Sequence, residues 1–228
     1  MSIENAWVVF AAIMTVGGLV WLVALALTLR IGKPSRDQRD FEPDPSYADE
    51  FAIESGTARM AGDGRTAARR LVRAILQSNQ KLYGAMYKIV ERGDSRIAIE
   101  KVDPLVCNQL PGTYFSHAEF DLRVVSYQEV EVHYRLDLQR IARLMRRISL
   151  LLLALAVVVM LVIGVLIGLL VIPSEQPAIR WQVVQTVQIV HVLWPPFLPI
   201  GIYTFGRRSA KMWVENLIAT AEFVDEPE

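Results

Sequence analysis

Residues 148–172 read ISLLLLALAVVVMLVIGVLIGLLVI, and this stretch decides the fold class. It holds 25 residues, of which Ser149 is the only polar one. At 1.5 Å per residue, a helix of this length exceeds the ~30 Å hydrocarbon layer of a bilayer. A surface helix of a water-soluble domain needs a polar stripe, and this stretch has none. The expectation is therefore a helix that crosses a membrane, in an α-helical integral membrane protein.

Two further apolar blocks flank it. Residues 6–29 (AWVVFAAIMTVGGLVWLVALALTL) carry no charge. Ala24-Leu25-Ala26 resembles a signal-peptide cleavage site, but the first five residues contain Glu4 and no Lys or Arg, and the apolar run is longer than the usual signal core. An uncleaved first span is expected. Residues 182–205 (QVVQTVQIVHVLWPPFLPIGIYTF) are more mixed. Gln182, Gln185, Gln188 and His191 recur every third residue and place a polar face on the helix. That face should look toward other helices or the headgroups, because an unpaired amide in lipid is costly. Pro195 and Pro196 remove two backbone donors, so the helix should kink or break after Trp194. Trp181, Tyr203 and Phe205 suit membrane interfaces, whereas Trp194 falls near mid-span. A third span is expected here, with a re-entrant or interfacial segment as the alternative.

Basic residues set the orientation. Arg30, Lys33, Arg36 and Arg39 follow the first block; Arg140, Arg143, Arg146 and Arg147 precede the second; Arg207, Arg208 and Lys211 follow the third. Lys and Arg near spanning helices are retained in the cytoplasm. The opposite flanks hold only Glu4 and, in residues 173–181, Arg180 against Glu175. The three clusters agree on an outside N-terminus, a cytoplasmic segment 30–147, an outside turn at 173–181 and a cytoplasmic C-terminus, which requires an odd number of spans. Arg140, Arg143, Arg146, Arg147, Arg207 and Arg208 are the candidate contacts for lipid headgroups.

The chain thus divides into an N-terminal end with the first span (1–29), an acidic proline-containing linker (30–64), a small cytoplasmic α+β domain with a juxtamembrane stalk (65–147), a transmembrane hairpin (148–172 and 182–205) and an amphipathic helix with an acidic tail (206–228). Residues 34–56 are expected to lack regular structure. Residues 65–92 show helical periodicity through Leu71, Val72, Ile75, Leu82, Met86, Ile89 and Val90, with Gly93 as a stop. Their arginines, Arg65, Arg69, Arg70 and Arg73, read as a solvated face. Alternation predicts strands over 96–102 and 118–125. Residues 126–139 fit both periods: Val130, Val132, Tyr134, Leu136 and Leu138 alternate, while Val130, Tyr134, Leu138, Ile141 and Met145 line a helical face. Ser126 and Glu129 have capping-box spacing, which favours one long helix over 127–172. The C-terminal helix should present Trp213, Val214, Leu217, Ile218 and Ala221 to the headgroups or to the stalk.

Chemistry is harder to find. With 24 basic and 24 acidic residues, the bulk charge argues against a nucleic-acid partner. Cys107 is the only cysteine, so neither an intrachain disulfide nor a thiolate metal cluster can form. His117 and His133 lack metal-ligand spacing, and His191 alone lies at membrane depth. A two-histidine haem site built on His191 would require a second copy. No cofactor is expected. Gly164 and Gly168 form a Gly-x-x-x-Gly pair that lets two helices approach closely, and Gln185, Gln188 and His191 are the polar candidates for helix packing.

The layout resembles the proton-channel family of biopolymer-transport and flagellar-stator proteins in three respects. These are the outside N-terminus, the large cytoplasmic insert between spans one and two, and the short outside hairpin. That resemblance implies an energy-transducing subunit. The second and third spans of that family are rich in Gly, Thr and Ala, whereas residues 148–172 are aliphatic. The residues themselves lead to a different expectation: a non-catalytic membrane anchor, scaffold or accessory subunit, with membrane lipids and a protein partner or a second copy as its contacts.

Overall fold

The computed structural model describes residues 1–33, 53–81, 87–102 and 114–223. Residues 34–52 of the expected linker, residues 103–113 with Cys107, Leu82, Met86 and the acidic residues beyond Phe223 lie outside them. The elements run α1 (Ile3–Thr28), β1 (Ile53–Ala61), α2 (Gly64–Lys81), β2 (Tyr87–Arg92), β3 (Arg96–Lys101), β4 (His117–Ser126), β5 (Glu129–Asp137), α3 (Gln139–Leu166, continued as a π-helical turn Ile167–Val171), α4 (Pro177–Arg180), a 3₁₀ helix (Trp181–Ile189), α5 (Val190–Leu193) and α6 (Phe197–Ala221). They form two compact units. One comprises Met1–Ile31 and Leu144–Ile202, and the other Gly32–Arg143 and Tyr203–Glu228.

The second unit is built on a five-stranded antiparallel sheet of order β1-β5-β4-β3-β2. Register fixes its two faces, because successive side chains alternate. Phe120 lies opposite Tyr134, Leu122 opposite Val132, Ile97 opposite Phe120 and Ile99 opposite Ala118. These residues are buried and share one face. Helix α2 covers that face with Ala67, Ala68, Leu71, Val72 and Ile75. Helix α6 reaches the same face, since the Tyr134 hydroxyl donates to Glu215 at 2.9 Å and Arg207 pairs with Glu54, the β1 neighbour of Leu136. Trp213 of α6 joins a cluster with Tyr87 and Phe115, whose rings stack at 4.8 Å.

Several expectations are corrected here. Residues 127–137 are not helical. Ser126 and Glu129 close a two-residue hairpin through Tyr127 and Gln128, and β4 pairs with β5 along its whole length. The alternating period prevails because β5 sits between β4 and β1, so every second residue from Val130 to Leu136 is buried on the helix-covered face. The helix starts at Gln139, whose N–H donates to the Asp137 carboxylate at 2.8 Å, an N-terminal cap. The periodic stretch 65–92 likewise divides: α2 ends at Lys81, and Ile89 and Val90 belong to β2. Residues 53–61, placed in the linker, form edge strand β1. Strands β3 and β4 agree with the alternation at 96–102 and 118–125. The C-terminal helix is continuous with the segment after the proline break and packs on the sheet.

Among the described residues, three helical segments are long and apolar enough to cross a membrane: Ile3–Thr28, Gln139–Val171 and Pro177–Ala221. The third breaks at residues 194–196, after Leu193, where the two prolines stand. Its 17 residues from Pro177 to Leu193 would span about 25 Å as pure α-helix. Nine of them are 3₁₀ at about 2.0 Å per residue, which stretches the segment to about 30 Å.

Candidate functional site

Packing in the first unit places small residues inside. Along α1 the buried positions are Ala6, Gly17, Ala24 and Thr28. Gly164 and Gly168 of α3 face α1: a side chain at Gly164 would come within 3.1 Å of Met14 Cε and 3.7 Å of Phe10 Cζ, and one at Gly168 within 3.6 Å of Trp7. Trp7, Phe10 and Met14 recur at helical spacing, so one stripe of α1 fills the hollow the two glycines leave. The Gly-x-x-x-Gly pair therefore serves packing within the chain. At Gly18, by contrast, an added side chain would meet open space.

A hydroxyl cluster ties the three segments together. Ser149 donates to the Pro196 carbonyl at 3.0 Å and accepts from Thr28, whose hydroxyl lies 2.7 Å away and shares its proton with the Ala24 carbonyl at 2.8 Å. Both Thr28 and Ser149 are fully buried. Pro195 and Pro196 carry no N–H, and Ser149 hydrogen-bonds the Pro196 carbonyl at the break itself. This places the break level with the last turn of α1. Trp194 stands at the break itself. Near the other end, Arg180 donates to the carbonyls of Met1 and Ser174, each at 2.9 Å.

The four polar residues of the third segment take a definite arrangement. In a 3₁₀ helix, residues three apart eclipse one another. Residues 182–193 read QVV-QTV-QIV-HVL, a triplet repeat matched to that winding. Gln182, Gln185 and Gln188 form one row and all are exposed, as is His191. Val183 and Thr186 form a second row and are buried, with Val183 in a small core with Ala6 and Ile172. Trp181, Val184 and Val187 form a third row and are exposed. The sequence reading found the spacing of three but not the triplet repeat, which was the available signal for 3₁₀ geometry.

Among the candidate headgroup contacts, Arg140, Arg143, Arg146, Arg147 and Arg208 are exposed. Arg207 is half-buried and paired with Glu54, whose side chain is nearly buried, so it supports the α6–sheet contact.

The open face of the sheet is the other polar surface. It carries the side chains opposite in parity to the core. Arg96 stands among three carboxylates, 3.2 Å from Glu119, 3.5 Å from Glu91 and 3.9 Å from Asp121. His117 lies 3.2 Å from Glu119, and His133 lies 3.1 Å from Glu131. Lys88 bonds Glu100 at 2.9 Å, and that bond holds the Glu100 carboxyl below its ordinary range. Among the described residues, no three His, Cys, Asp or Glu side chains gather as a metal site. Neither family models, nor curated proteins, nor solved structures contain a match to this chain.

Proposed function

We propose that this chain is a non-catalytic integral membrane component, an anchor, scaffold or accessory subunit that presents its sheet unit to a protein partner in the cytoplasm. The observation that carries this reading is the uncovered apolar surface of α1 and α3. In the most apolar window of each, only 11% of positions are buried by the rest of the chain. Leu151, Leu169 and Val8 are 71%, 70% and 68% exposed. Left in water, each such side chain forgoes about 1.5–3 kcal/mol of transfer free energy, so the surface calls for lipid or other apolar helices.

The basic flanks favour an outside N-terminus and a cytoplasmic sheet unit. Arg140, Arg143, Arg146, Arg147 and Arg208 would then meet anionic headgroups. The sheet unit offers a flat field of alternating charge around Arg96, a surface suited to pairing with a partner's charges.

Two measurements on the full chain test this. Alkaline carbonate should leave it in the membrane pellet. With Cys107 replaced by Ser, a thiol at exposed Arg123 should react with a membrane-impermeant maleimide only after the cells are opened. Extraction into the supernatant would end the membrane reading, and labelling in intact cells would invert the orientation.

A further inference from the structure

The row Gln182–Gln185–Gln188 lies on a helix with one buried row and one exposed apolar row. Val183 and Thr186 pack inward, and Val184 and Val187 give an apolar surface fit for lipid. The glutamine row is the exception: three amides exposed on an apolar segment, with His191 continuing the series three residues later. On an α-helix, four positions spaced by three would drift through about half the circumference. The 3₁₀ winding of Trp181–Ile189 instead lines up the three amides along about 12 Å.

An amide in hydrocarbon must find a partner, and the glutamine amide carries two donors and an acceptor. A straight row of identical amides is complementary to itself. A partner with charged groups would match it less well, because glutamine has no net charge to neutralise them. A two-fold axis would lay one row against another, with each amide both donating and accepting.

We propose that this row is the contact between two copies of the chain, joined by glutamine amides across their third helical segments. The proposal names the partner of the membrane component described above and rests on residues 177–193 lying in a bilayer. The row's surroundings suit that setting. Val184 and Val187, exposed at 44% and 55%, flank it and would remain apolar outside such a contact.

The test uses the full-length chain with Cys107→Ser and single cysteines at Gln182, Gln185, Gln188, Val184 or Val187, oxidised with copper phenanthroline in native membranes. Cysteines in the glutamine row should give a disulfide-linked dimer, and those at Val184 and Val187 should give at least several-fold less. Dimers from the valine row, or none from the glutamine row in a carbonate-resistant protein, would overturn the proposal while leaving membrane insertion intact. A mixed disulfide with a different protein would overturn it in favour of that partner. Reaction of the glutamine-row thiols with an impermeant maleimide, without cross-linking, would overturn it in favour of a water-lined surface. Release by carbonate would defeat both the proposal and the reading beneath it. As a check independent of cysteine, Gln185→Leu with Gln188→Leu should weaken energy transfer between labelled copies in lipid vesicles about tenfold; unchanged transfer would count against the amide contact.

Discussion

The two units differ most in the large apolar side chains they leave exposed. The sheet unit hides its largest side chains, Tyr134, Phe115, Phe120, Met60, Leu71 and Ile97 among them. The helical unit buries small residues, Ala6, Gly17, Ala24, Ser149, Ala156 and Gly164, beside a few larger ones such as Leu153, Ile172 and Val183, and turns Leu151, Leu161, Leu166 and Leu169 outward. In water, burying large apolar groups drives folding. Where the solvent is itself apolar, that drive between helices disappears, and close approach plus hydrogen bonds must hold them. The exposed leucines and valines of the helical unit are what the proposed membrane setting would accommodate.

Substitutions sharpen this contrast. Phe120→Ala should destabilise the sheet unit by about 3–5 kcal/mol, the range for losing a buried aromatic side chain. Denaturant unfolding of the full chain in detergent, with Trp7, Trp21, Trp181 and Trp194 replaced by Phe so that Trp213 alone reports, would show it. Leu169→Ala removes a side chain 70% exposed and should change helix packing by less than about 0.5 kcal/mol. If the two losses were equal, the contrast between the units would fail. Next in size, Glu54→Gln leaves the half-buried Arg207 without its counter-charge and should cost about 2–4 kcal/mol in the same experiment. Ser149→Ala strips the Pro196 carbonyl of its donor and should cost about 1 kcal/mol, read as a lower midpoint for heat inactivation in detergent.

The smallest effect concerns alkali. Burial pushes the Tyr134 phenol above its ordinary value of 10, with the Glu215 carboxylate adding to the shift, and burial does the same to Tyr87. Because these folded-state values are raised, the associated stability is fully present below pH 10 and declines as pH rises above it. Tyr134→Phe should therefore make the unfolding midpoint less sensitive to pH between about 10 and 11. An equally steep alkaline loss in the variant would assign the effect elsewhere.

How much of this was legible depended on which physical signal each segment carried. The three apolar segments follow from length and hydropathy. Strands β3 and β4 follow from alternation. Strand β5 was ambiguous because Val130, Tyr134 and Leu138 satisfy both periods, and the deciding features were the pairing partners on either side and the cap at Asp137. Strand β1 was hidden by its composition. IESGTARMA looks like linker sequence, yet Gly56 lies directly beneath the Tyr134 ring, where a Cβ would collide with it. Gly62, at φ +123°, then turns the chain into α2, with Asp63 accepting from the Thr66 N–H at 2.7 Å. The glutamines were visible as a period of three, but a row along one line required the 3₁₀ winding. The Ser149–Pro196 hydrogen bond joins residues far apart in sequence, and nothing local announced it.

The central claim is that the helical unit's outward leucines and valines face lipid while the sheet unit faces water. Nitroxide labels on single cysteines at Val158 and Arg123, in the Cys107→Ser chain reconstituted into vesicles, measure this by power saturation. Dissolved oxygen should relax the label at 158 more than a water-soluble nickel complex does, with the reverse at 123. A nickel complex that dominates at both positions would contradict it.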